Sequence, residues 1–158
     1  MRALFALAAL LLLPGALTAQ GRPDFPGRPL RVTGMQPLNF GSLLAGVPTT
    51  IPPTDALNAG RFEIRGPNRS EVMVEIILPG ALSGPGGASV ALAFGPASAG
   101  FGETGVQVVF DPAVPQLIAL PNNGRGLIFL GGTAAPPAAL PSGSYSAPVI
   151  LTLSNLSN

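Results

Sequence analysis

The chain contains no cysteine, histidine, lysine or tryptophan, and only one tyrosine, Tyr145. Without histidine and cysteine it cannot build Ser-His-Asp or Cys-His nucleophile arrangements, or imidazole and thiolate metal sites. Without lysine it cannot build Ser-Lys dyads or Schiff bases. The missing cysteines also exclude a disulfide framework, so stability has to come from apolar burial and strand pairing. Charge is scarce: 9% of the residues are charged, against 47% hydrophobic. The eight basic residues are all arginine and face seven acids. Such a balance lacks the basic surface that displaces counterions from nucleic acid, and it leaves copies of the chain poorly self-repelling.

What is present begins with Met1-Arg2-Ala3 and an apolar run from Leu4 to Leu13, ended by Pro14-Gly15 and followed by Ala16-Leu17-Thr18-Ala19. One positive charge, a short apolar core and a small residue at the cut is the order of a secretory signal peptide. A spanning helix needs roughly 20 apolar residues, and this run stops well short. Cleavage is expected after Ala19. Removing 19 of 158 residues leaves 139, a length for one domain with a single core. Export through the secretory pathway, to the periplasm, cell surface or medium, is the expected destination.

Residues 20–36 carry Arg22-Pro23, Pro26-Gly27 and Arg28-Pro29 and read as an extended Pro/Arg-rich leader with little core. From Pro37 onward short apolar runs are separated by Gly, Pro, Asn and Ser, the texture of many short strands. Period-two alternation is clearest in 61–65, in 71–78, in 90–94, in 106–111, where Val106, Val108 and Phe110 share a face, and in 145–153. Segments 38–44, 47–51, 116–120 and 127–130 are weaker strand candidates, and Asn123-Gly124 between the last two predicts a hairpin. The chain's 19 prolines and 21 glycines would break most helices. The expected fold is an all-β, immunoglobulin-like antiparallel β-sandwich of about seven to nine strands in two sheets over residues 37–158.

Pro37-Leu38-Asn39-Phe40-Gly41-Ser42-Leu43, Gly60-Arg61-Phe62-Glu63-Ile64-Arg65-Gly66, Leu78-Pro79, Gly131-Gly132-Thr133 and Gly143-Ser144-Tyr145-Ser146 resemble, in order and spacing, the bacterial DUF4402 family. That family of unknown function is similar to spore coat protein U-like and fimbrial subunit domains. The resemblance covers about residues 37–154 and implies an exported immunoglobulin-like domain associated with surface structures, with no catalytic residues to carry over. The absence of cysteine departs from the spore coat relatives and makes the fimbrial comparison the nearer one. Beside the resemblance, Phe40, Gly41, Gly60, Gly66 and Tyr145 read as structural positions. The glycines suit strand ends that need positive φ or close chain approach. Tyr145 suits a tyrosine corner, with its hydroxyl bonding upstream backbone.

Carboxylates are the remaining chemistry. Glu71 and Glu75 share a strand face but lie about 13 Å apart along it, outside the ~5 to 9.5 Å of glycosidase carboxyl pairs. Glu63 has Arg61, Arg65 and Arg69 available as cross-strand ion-pair partners. No acidic loop has calcium-site spacing, and Ser83-Gly84-Pro85-Gly86-Gly87 lacks the lysine of a phosphate-binding loop. No catalytic, cofactor or metal residues are therefore assigned. Ile77, Val109 and Ile150 fall on the outer faces of their strands and are the expected interface residues. The sequence points to an exported, non-enzymatic structural or surface-assembly module whose partners are itself or other envelope proteins. A pilin-like subunit joining by strand exchange, and an extracellular protein- or carbohydrate-binding module, are the alternatives. Expressed in an exporting bacterial host, the mature protein is expected to begin at Gln20 by N-terminal sequencing; a product that retains Met1 would contradict the signal-peptide reading.

Overall fold

The structure, a computed structural model, describes residues 28–155. The expected signal peptide with its cleavage point, the first part of the leader (20–27) including Arg22 and Asp24, and Leu156 onward lie outside the described residues.

Strands form where apolar and polar residues alternate. In β3 (Gly60–Arg65) Phe62 and Ile64 point inward. In β4 (Glu71–Ile77) Val72, Val74 and Ile76 are buried while Glu71, Glu75 and Ile77 are exposed. The same logic makes β6 (Ser89–Ala93), β9 (Gln116–Ala119) and β12 (Ile150–Asn155), while β10 (Arg125–Leu130) is an apolar run buried from Gly126 to Leu130. Shorter strands complete the set: β1 (Arg31–Gln36), β2 (Thr49–Ile51), β5 (Ala81–Ser83), β7 (Ala99–Gly102), β8 (Val108–Phe110) and β11 (Gly132–Ala135). All pairings are antiparallel. The only helical element among the described residues is a 3₁₀ turn at Pro85–Gly87, which joins β5 to β6.

Three sheets result, in the orders β1-β3-β10-β7-β8, β2-β11-β6-β5 and β12-β4-β9. The first two are joined along the chain, β2 to β3 through a turn, β6 to β7 through a short loop and β10 to β11 across Gly131, and these strands keep matching order in the two sheets. Gly131 separates β10 from β11, and a Cβ there would come within 2.2 Å of the Ile51 carbonyl oxygen. Only glycine tolerates that approach.

The core lies between the first and third sheets. Ile64 of β3 and Ile128 of β10 meet Val72, Val74 and Ile76 of β4 and Ile118 of β9, with Leu120 at the margin. Leu151 and Leu153 of β12 extend the layer. Each fully buried aliphatic side chain of this kind stabilises the fold by about 1.5–3 kcal/mol relative to exposure. The fold is an antiparallel β-sandwich.

Several expectations need correction. Among the described residues the strand count is twelve, because Gly- and Ala-rich strands such as Ala99–Gly102 and Gly132–Ala135 show no alternation to read. The sheets number three among the described residues, because β10 and β11, separated by Gly131, belong to different sheets. Segment 38–44 is a loop: the Asn39 side chain accepts the Gly41 N–H at 2.9 Å, and Gly41 takes φ 66°. The Asn123-Gly124 turn does not close a hairpin. It carries the chain from β9, paired with β4, to β10, paired with β3 and β7, because Ile118 and Ile128 must face each other across the core. Val106 does not share a face with Phe110. It folds back over Gly100, whose missing Cβ leaves it room, while Phe110 packs on the core. The last strand starts at Ile150, past Pro148, and Ser146 makes only an isolated bridge to Ser83. The proline-free end of the leader forms β1, with Val32 opposite Ile64 and Leu30 against the core.

Candidate interaction surfaces

A sandwich of this kind offers two outer sheet faces and the ends of its layers, and the described residues use all three differently. On the outer face of the third sheet, β4 presents Glu71, Met73, Glu75 and Ile77. Ile77 is directly opposite Ile150 of β12, and the two are 54% and 52% exposed. Met73 is opposite Leu117 of β9, also exposed. Two apolar rows thus flank Glu75 and Thr152, and neither Glu71 nor Glu75 forms an ion pair among the described residues. Of the three expected interface positions, Ile77 and Ile150 come together. Val109 is equally exposed but sits on β8 at the far edge of the first sheet, opposite Gly100.

The outer face of the first sheet is built on charge. Arg31, Arg65 and Arg125 stand directly opposite one another across β1, β3 and β10. Like charges in register repel, and Glu63, one step along the same face, offsets them. Its carboxylate accepts from Arg65 Nε at 2.8 Å and from Arg125 Nε, and the residue is only 8% exposed. The Arg65 hydrogen bond foremost, with help from Arg125, holds the Glu63 carboxyl below its usual range against the opposing effect of burial. An acid held in this way stays ionised at neutral pH and does not act as a general acid. Beside it, the Arg61 guanidinium lies 5.8 Å from the Phe129 ring centroid and bonds the Ala56 carbonyl at 3.0 Å. Arg69, expected as another ion-pair partner, donates instead to Asn122.

At one end of the sandwich an apolar cleft of about 360 Å³ opens between β1, β6 and the chain leading to β12. Met35, Leu38, Phe40, Phe62, Phe94 and Val149 contribute to its walls. Phe40 is half-buried there, and Gly60, at the start of β3, lies close under Leu38. An adjoining depression of about 640 Å³ runs between segments 37–43 and 140–147 and includes Tyr145. The Tyr145 hydroxyl donates to the Pro141 carbonyl at 2.7 Å, and its ring lies on Gly84, where a Cβ would approach within 2.2 Å. Gly66 sits beyond β3, where a Cβ would meet Leu30 at 2.6 Å and Leu120 at 2.9 Å.

Asp55, whose carboxyl is held low by the Asn58 side chain and by the Leu57 and Asn58 N–H groups, closes the turn before β3. Among the described residues no three His, Cys, Asp or Glu side chains converge to hold a metal ion, and no helix is long and apolar enough to cross a membrane. Searched against protein-family models and curated proteins, the chain matches none.

The sequence reading missed the Glu63–Arg125 pair and the Met73–Leu117 row. Both depend on which strands are neighbours. The outward parity of Met73 between Glu71 and Glu75 was the available signal for the second. Glu63→Gln is expected to destabilise the protein by about 1 kcal/mol at neutral pH, the scale of a pair whose arginines remain half exposed. Because the folded-state pKa lies below the ordinary 4.5, the wild-type advantage should be complete above that value and vanish as the pH falls through the folded pKa. Urea melts of both proteins across pH 2–7, with the range set by the carboxylate scale, check this; a pH-independent difference would contradict it.

Proposed function

We propose that the chain is an exported, non-enzymatic structural module that assembles with copies of itself or with other envelope proteins. The observation that carries this reading is the side-by-side exposure of Ile77 and Ile150 on a sheet face that also shows Met73 and Leu117. Apolar side chains gathered on one face are a recurrent mark of protein contact. Near-neutral net charge opposes association only weakly, and the amino-terminal signal pattern and the resemblance to DUF4402 point the same way. The missing catalytic side chains support a role without chemistry.

Assembly by strand exchange has less support, since β12 pairs with β4 of its own chain over six positions. A binding module is the second reading, favoured by the apolar cleft. Its phenylalanine walls suit an apolar side chain or short apolar segment better than a sugar, which needs hydrogen-bond partners as well as a stacking surface.

Light scattering coupled to size exclusion separates these readings. The protein, expressed from the full chain and purified as its host processes it, is expected to gain mass with concentration in low salt. Ile77→Asp/Ile150→Asp should reduce that gain. A monomer at every concentration would overturn the assembly reading and leave the cleft as the site to pursue.

A further inference from the structure

The two outer faces of the sandwich carry opposite charge. Every arginine on a strand belongs to the first sheet: Arg31 on β1, Arg61 and Arg65 on β3, and Arg125 on β10. All four point to its outer face, where Glu63 is the one acid on a strand, which leaves an excess of three positive charges. The outer face of the third sheet carries Glu71 and Glu75 and no basic residue on any of its three strands. We propose that the glutamate face of one copy docks on the arginine face of the next, so that the chain stacks head to tail. This deepens the assembly reading above and rests on it.

The charged groups of the two faces are spread over similar distances. Arg31, Arg65 and Arg125 lie side by side across three strands about 4.8 Å apart, a row about 10 Å wide, and Glu71 and Glu75 lie about 13 Å apart along β4; Arg61 is held by the Ala56 carbonyl, its Nε buried. Sheets packed face to face lie about 10 Å apart, a gap that an arginine and a glutamate reaching from opposite sides close. The acidic face also brings its apolar rows, half-buried Met73 with exposed Leu117 and exposed Ile77 with exposed Ile150, into the contact. The two surfaces differ, so the contact is heterologous and leaves one free face at each end. Such a contact propagates as a linear stack unless the rotation closes it.

Its strength follows from its size. Three strands about 4.8 Å apart, of seven, six and four residues, give a footprint within roughly 14 by 23 Å. That is less than half of the ~800 Å² per partner of a standard stable interface. A single contact is therefore weak, and charge steering makes it sensitive to salt, since the screening length falls from about 30 Å at 0.01 M to about 3 Å at 1 M.

The test uses the protein expressed from the full chain and purified as its host processes it, with sedimentation velocity at about 0.01 M and about 0.5 M salt, on either side of the screening range. Wild type is expected to at least double its weight-average mass in the low-salt buffer and return to monomer in the high-salt buffer. Glu71→Arg/Glu75→Arg should remain monomeric in both, and Glu71→Gln/Glu75→Gln, which removes charge without reversing it, should fall between. Mixing the Arg variant with Arg31→Glu/Arg65→Glu/Arg125→Glu should restore mass that neither has alone, with thermal melts confirming that each is folded. Should the triple variant fail to fold, the two glutamate variants decide the matter. Association that survives the glutamate reversal, or that strengthens with salt, would overturn the face pairing while leaving self-assembly standing. A wild-type protein that is monomeric at both salts would overturn both.

Discussion

Ile64 and Ile128 on one sheet press against Val72, Val74, Ile76 and Ile118 on another, and the other features of the molecule depend on that layer. No cross-link shares the task, because the chain has no cysteine. Two sheets held by apolar contact alone must match in parity along every participating strand, since a slip of one residue would turn the aliphatic row out to solvent. The regular alternation of β3 and β4 is the sequence-level form of this constraint. The turn at Asn123-Gly124 is its topological form, passing the chain from one side of the layer to the other so that both sides are filled.

Once the inner faces are committed to the core, the outer faces inherit what the alternation leaves. On β3 that remainder is Arg61, Glu63 and Arg65; on β4 it is Glu71, Met73, Glu75 and Ile77. The placement of β3 and β10 together in one sheet gathers arginines, and the buried carboxylate of Glu63 makes their proximity tolerable. Glu63 is buried while its arginine partners stay half exposed, so the pairing ties the carboxylate to the fold at about the 1 kcal/mol scale of a partly screened pair. Glu71 and Glu75 carry no such obligation, and that freedom is why the proposed assembly contact is placed there.

Sequence reading recovered the parts of this design that repeat locally. The inward rows of β3, β4 and β12 were visible as period two, as were the outward positions Ile77 and Ile150. What it could not recover was partnership. The opposition of Ile77 to Ile150, and of Arg31 to Arg65 and Arg125, depends on strand order, which brings together residues more than 70 positions apart in the first case. Strands such as Gly132–Ala135 lack side chains large enough to signal a face, and they are held by neighbours already in place. Pro148 delayed the last strand, and the space over Gly100 diverted Val106 from the parity of its own segment. Those are decisions of tertiary packing.

If one interlayer contact holds the two sheets together, they should open together. Native-state hydrogen exchange followed by mass spectrometry tests this most directly. The account predicts that the paired amides of β3, β4 and β10 exchange through a single global opening with the same free energy, the signature of one cooperative unit. Strand β4 exchanging well ahead of β3 and β10 would show that the third sheet detaches by itself, and would contradict a fold that rests on the layer between them.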